Sequence, residues 1–141
     1  MATANRILVP VDGSKCALRA LRFAASRLDR HRGGLILLLN VQPPMPPGLF
    51  VTRDMIKEHQ RRHADPIIKH AETMAKRLRI KTRSAVRVGD PAPLIARMAR
   101  QSRCSEIVMG TRGRGRLAGA VLGSTSMKLL HIARIPVTLI R

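Results

Sequence analysis

Met109-Gly-Thr-Arg-Gly-Arg-Gly-Arg-Leu-Ala-Gly-Ala-Val-Leu-Gly-Ser-Thr-Ser126 links a short apolar run to a segment of helical character. Glycines stand at 110, 113, 115, 119 and 123. A glycine carries no β-carbon, so its N–H can approach an oxyanion closely and its backbone tolerates positive φ. Gly123-Ser124-Thr125-Ser126 puts hydroxyls and free amides at a helix start, where the helix dipole favours negative charge. Arg112, Arg114 and Arg116 are placed to add charge-assisted contacts to phosphate. The segment therefore reads as a polyphosphate site between a strand and a helix. Two plainer readings stand beside it. A serine or threonine at that place caps a helix with or without a ligand, and a glycine-rich stretch also serves as a flexible connector. No G-x-x-x-x-G-K-[ST] occurs, which excludes a Walker loop. Gly113-x-Gly115-x-x-Ala118 fits the dinucleotide fingerprint by letter, but no acidic residue follows about 20 positions on, where Thr138 and Leu139 lie, so a nicotinamide cofactor is not expected.

Working outward, the same strand-then-helix grammar repeats along the chain. Ser105 to Met109 is the apolar strand feeding the loop, and a helix from Ser124 to about Ala133 is followed by a last strand, Pro136 to Ile140. Upstream, Gly89-Asp90-Pro91 supplies an N-cap and a proline at the first helical position, opening a helix through Leu94, Ile95 and Met98. Thr82 to Val88 alternates weakly, as a strand. Before it runs a long helix with Ile56, His63, Ile67, Ala71, Met74 and Leu78 on one stripe, in which Pro66 predicts a kink or a break. Gln42 to Gly48 is a stiff, proline-rich loop. Leu35 to Val41 is apolar without alternation, the mark of a strand covered on both faces. Leu18, Leu21, Ala25 and Leu28 repeat at helical spacing up to a stop at Gly33-Gly34. Arg6 to Val11 is the first apolar run, ending in the turn Asp12-Gly13-Ser14.

Five strands alternating with helices predict one α/β domain, with a parallel sheet, helices on both faces and right-handed crossovers. In such sheets a ligand sits beyond the carboxyl ends of the strands, where the strand order reverses. That singles out Asp12 to Ser14, Val41 onward and Gly110 onward.

Composition agrees. The chain has 141 residues, 45% hydrophobic and 25% charged, as expected for a soluble domain. Leu35 to Leu39 is far too short to cross a bilayer. No signal-peptide pattern opens the chain, and two cysteines make neither a disulfide framework nor a four-ligand zinc site. A cytoplasmic protein is expected. Charge is the unusual feature: 27 Lys plus Arg against 8 Asp plus Glu, a net +19. Such a field attracts polyanions. The basic residues are nevertheless scattered, which is how solvated faces look. Phe23 and Phe50 are too few to stack the bases of a single strand.

Gly110-x2-Gly113-x9-Gly123-Ser124 resembles the ATP-binding signature of the universal stress protein family. The resemblance continues through Leu129-Leu130-His131 and Pro136-Val137, and at the other end through Ile7-Leu-Val-Pro-Val-Asp12-Gly-Ser14. It implies an open five-stranded parallel sheet of order 3-2-1-4-5 in one domain spanning the chain, Rossmann-like and of the adenine nucleotide alpha-hydrolase-like kind. It also implies a homodimer through the C-terminal strand. ATP's ribose and phosphates would then be held by Gly110, Gly113, Gly123, Ser124, Thr125 and Ser126. Pro10, Val11, Asp12 and Val41 would line the adenine and ribose side. Ser14, Met109, Arg112 and Gly115 complete the expected set, and Asp12 could help to hold Mg or Mn. Asn40 departs from the family, in which many members have His before that valine.

Binding is expected to outweigh catalysis. Asp12 is the only carboxylate in the expected site, and Glu106 enters its strand at the opposite end. His131 lies about 10 Å down the helix from Ser124 at 1.5 Å per residue. His63 and His70 share a helix face without a third metal ligand. Cys16, in the first turn of a helix beside Lys15, reads either as a redox-sensitive thiol or as a small buried hydrophobe; Cys104 has less to recommend it. The last strand offers a bare edge, which invites pairing with another chain. The expectation is an ATP-binding stress-response regulator with little turnover, against two alternatives: a basic module for nucleic acid or another polyanion, and a weak ATPase.

Overall fold

Five parallel strands lie in the order β3-β2-β1-β4-β5, as anticipated. The computed structural model describes residues 5–45, 50–113 and 122–141. In chain order the elements are β1 (Arg6–Pro10), α1 (Lys15–Arg27), β2 (Leu35–Gln42), α2 (Arg53–Arg77), β3 (Lys81–Val88), α3 (Pro91–Gln101), β4 (Glu106–Gly110), α4 (Ser124–Ile132) and β5 (Val137–Ile140). Register is parallel throughout, with Ile7 beside Ile36 and Glu106 and Val108 beside Thr138.

Side-chain alternation sorts the core into two layers. Ile7 and Val9 of β1, Ile36 and Leu38 of β2 and Val108 of β4 pack under α1 and α2. Leu8, Leu39, Ile107 and Met109 point the other way, under α3 and α4. The central strands are apolar on both faces because both faces are covered. Alanines let α1 lie close to the sheet: Ala17, Ala20, Ala24 and Ala25 are all buried.

Several boundaries differ from expectation for identifiable reasons. Helix α1 ends at Arg27, well before Gly33-Gly34, because Leu28 turns to an extended ψ of 128° and buries its side chain. The turn that follows is closed by Gly34 N–H donating to Asp29 O at 2.8 Å and by Asp29 N–H donating to Asn5 Oδ1 at 2.9 Å. Pro66 does not break α2, which runs through it. The carbonyl that loses its partner belongs to Arg62, on an exposed turn where water can serve it. Ile56 is 39% exposed rather than part of the buried stripe. At 1.5 Å per residue a helix as long as α2 reaches roughly 37 Å, beyond the sheet it covers, and its buried residues begin only at Ala64.

Both α2 and α3 end in the same device. Arg79 N–H donates to Lys76 O and Ile80 N–H to Ala75 O; Arg103 N–H donates to Arg100 O and Cys104 N–H to Ala99 O. These are Schellman motifs, each followed by a buried residue that anchors the turn, Ile80 or Cys104. Their left-handed position, usually glycine, is an arginine in both: Arg79 has φ 55° and Arg103 φ 53°. A side chain in that conformation costs about 1 kcal/mol or more.

Candidate functional site

The strand order reverses between β1 and β4, whose carboxyl ends open onto a cleft of about 310 Å³. Pro10, Val11 and Asp12 form one wall, Val41 continues it from β2, and Met109, Gly110, Arg112 and Gly113 close it from β4. Gly123, Ser124, Thr125 and Ser126 bring the start of α4 to the same space. Twelve of the fourteen residues expected from sequence thus line one cavity. Ser14 does not: its Oγ accepts from Ala17 N–H at 3.1 Å and caps α1. Gly115, with Arg114 and Arg116, lies outside the described residues. Leu39, Ala17, Pro91, Ile95 and Leu122 also line the cleft and were missed. They are apolar and carry no motif; only the placement of α3 over the switch point could have suggested Pro91 and Ile95.

Two contacts explain why particular glycines are needed. A β-carbon on Gly113 would stand 2.6 Å from Asp12 Oδ2, and one on Gly110 would stand 2.8 Å from Cys16 Sγ. Asp12 is itself fixed, its Oδ1 accepting from Ser14 N–H at 2.9 Å. Gly123 is the N-cap of α4 and has no side chain with which to cap it, while its own N–H donates to Thr111 O at 2.6 Å. The first amides of α4 are thereby left without a side-chain acceptor at the mouth of the cleft, the arrangement that favours an anion. Ser126 is buried, and its hydroxyl proton is shared between Gly110 O at 3.2 Å and Thr111 O at 3.3 Å. It ties α4 to the end of β4. Ser124 is exposed and Thr125 half-buried, so their hydroxyls remain available.

Asn40 sits behind the wall rather than in it. It is 2% exposed, its Nδ2 donates to Val11 O at 2.7 Å, and its Oδ1 accepts from Gln42 Nε2 at 2.5 Å. The amide thus pins the turn that carries Asp12. Asn40→Leu should lower stability by about 2 kcal/mol in a urea titration, because it leaves Val11 O and Gln42 Nε2 unpaired in the interior.

The remaining singled-out residues fall elsewhere. Glu106 opens β4, at the far end of the sheet, bound to Arg27 Nε at 3.1 Å and to Thr138 Oγ1. His131 is exposed in the last turn of α4. His63 pairs with His59, ring centroids 4.5 Å apart, rather than with His70. Among the described residues no group of three or more His, Cys, Asp or Glu is placed to hold a metal. Cys16 lies under Gly110, its Sγ donating to Ile140 O at 2.9 Å. Burial pushes its thiol pKa up, but hydrogen bonds from the Arg112 and Thr111 main chain and the Thr111 hydroxyl, with the Arg19 charge, leave it below the ordinary value. Burial raises that of Cys104.

Sheet order and cleft together define a doubly wound α/β domain with a glycine-lined cleft at its switch point. More narrowly, the chain belongs to the universal stress protein family, whose profile matches residues 3–141. It is 32% identical to a universal stress protein of Thermus aquaticus over 136 residues, covering 96% of this chain and 97% of that one. The chain spans about half the length of the mycobacterial universal stress proteins it matches. Among solved structures, UspA from Lactobacillus plantarum superposes with a TM-score of 0.82 at 21% identity, covering all of both chains. The Archaeoglobus fulgidus protein in complex with dAMP superposes with 0.73 at 23% identity, again over both whole chains.

Proposed function

We propose that the cleft binds an adenine nucleotide, ATP in the first instance, and that the bound nucleotide sets the shape or the partners of a stress-response regulator. One observation carries the reading: β1, β4 and the uncapped start of α4 converge on a single cleft whose glycines leave main-chain amides bare. Solved relatives in complex with dAMP, cAMP and AMP support the choice of adenine nucleotide. Gly110, Gly113, Gly123, Ser124 and Thr125 hold the ribose and phosphates, Arg112 adds charge, and Pro10, Val11 and Val41 face the adenine side. Asp12 Oδ2 borders this space as the one carboxylate among the lining residues. It suits a Mg or Mn ion carried in on the phosphates, since such an ion keeps several of its own waters and needs only one or two carboxylate ligands. The test is to denature the purified protein and identify the released nucleotide by mass spectrometry, then to titrate the emptied protein with ATP. Recovery of no adenine nucleotide, together with no heat of binding, would overturn the reading.

Turnover is slow. Among the described residues the cleft is lined by no histidine or glutamate to activate water, so multiple-turnover hydrolysis should stay below about 1 per second. The protein works in the cytoplasm as a homodimer through β5. No helix among the described residues is long and apolar enough to cross a membrane. Every residue of β5, at the sheet edge, is only half-buried. Analytical ultracentrifugation at micromolar concentration should show a species of twice the 15.6 kDa monomer mass.

A further inference from the structure

All four helix-to-strand connections of a parallel sheet return to the amino ends of its strands, opposite the nucleotide cleft. Each of the four carries an exposed arginine: Arg30 between α1 and β2, Arg79 between α2 and β3, Arg103 between α3 and β4, and Arg134 between α4 and β5. Arg6 at the start of β1 and Arg100 in the last turn of α3 join them, with Lys81 opening β3. None has an ion-pair partner among the described residues, whereas the two carboxylates at this end are both taken, Asp29 by Arg32 and Glu106 by Arg27. Seven of the chain's 27 basic residues, far apart in sequence, are thus brought to one end of the sheet. Helix dipoles do not account for them. Arg100 apart, the last turns already carry Arg27, Lys76, Arg77 and His131, and the connection arginines come in addition. Arg79 and Arg103 moreover occupy left-handed positions where glycine would be less strained. Arginine in the left-handed position at two equivalent places puts two further cations at this end despite the backbone strain.

We propose that this end of the sheet binds the phosphate backbone of duplex nucleic acid without reading its sequence. Guanidinium groups bind phosphate oxygens in a bidentate fashion. Five strands about 4.8 Å apart spread the arginines over roughly 19 Å, enough to reach phosphates on both sides of a groove about 12 Å wide. Phe23 is at this end but half-buried against the core with Arg27 over its ring, and Phe50 precedes α2 at the other end, so among the described residues no exposed Phe, Tyr or Trp offers single-strand bases a platform here. Among the described residues only Leu130 and Ile132, both in the last turn of α4, are exposed large apolar residues at this end, too little to centre a protein–protein interface.

The experiment compares binding of a short mixed-sequence DNA duplex to the whole protein and to two variants of equal net charge, R79G/R103G and R83Q/R87Q, the latter altering exposed arginines along β3. R79G/R103G should bind about tenfold or more weakly near 100 mM salt, and its slope of log affinity against log salt should flatten by about two phosphate contacts. Its melting temperature should stay level or rise, because glycine relieves both left-handed turns, and its ATP affinity should not change. R83Q/R87Q should lose clearly less. Equal losses in the two variants, poly-glutamate bound as tightly as duplex at the same salt, or no duplex binding by the unaltered protein would each overturn the proposal. It stands apart from the nucleotide reading, since ATP titration reports on the opposite end.

Discussion

Gly113→Ala should weaken ATP binding about a hundredfold in a calorimetric titration, a loss of about 2.7 kcal/mol. Its new methyl would stand 2.6 Å from Asp12 Oδ2, a separation that real side chains do not adopt. Asp12 cannot swing aside without giving up Ser14 N–H, so the loop must move and carry its amides off the phosphates. Circular dichroism and the unfolding midpoint should change little, because Gly113 is exposed at the cleft rather than packed in the core. An affinity equal to that of the unaltered protein would remove this glycine from the site.

Gly34→Ala should do the reverse, lowering stability by about 3 kcal/mol in a urea titration while leaving ATP affinity intact. A β-carbon there meets Asp29 O at 2.7 Å, Asn5 Oδ1 at 2.8 Å and Leu28 Cγ at 2.8 Å. Two of these neighbours are held in the hydrogen bonds that close the turn into β2, so none can retreat cheaply. Gly34 sits at the amino end of the sheet, far from the cleft. A midpoint within error of the wild type would show the turn to be softer than its contacts imply.

The architecture was largely legible in the sequence, because a doubly covered parallel strand leaves a plain signature. Leu35 to Leu39 without alternation could only be a strand buried on both faces, and Asp90-Pro91 could only open a helix. The misreadings share one cause. Pro66 and Ile56 were judged from local chemistry, yet both lie where α2 meets solvent or outruns the sheet, and tertiary placement decides there. The glycines and hydroxyls of the cleft could be read because their spacing is a motif. Its apolar lining could not, since Leu39 or Ile95 in a pocket looks no different from the same residue in a core. Nor could Asn40 be read as a buried clamp on Val11, or the arginines as one surface: both are facts about which strands become neighbours. Asp90 is a partial case. It stands at the N-cap of α3 as the dipeptide implied, but makes no side-chain capping bond and pairs with Lys128 of α4 instead.

The two margins of the sheet are chemically unlike. β3 carries Lys81, Arg83 and Arg87 along its outer margin, whereas β5 offers Val137, Thr138, Leu139 and Ile140. Like-charged cations deter another strand from adding there, and an uncharged margin does not. In the proposed dimer through β5 both repelling margins would turn outward, and the ladder would have nowhere left to grow. Such a dimer would be protected against fibre formation by its own termination rule, and neutralising Lys81, Arg83 and Arg87 together should remove that protection, seen as fibre growth in a light-scattering assay.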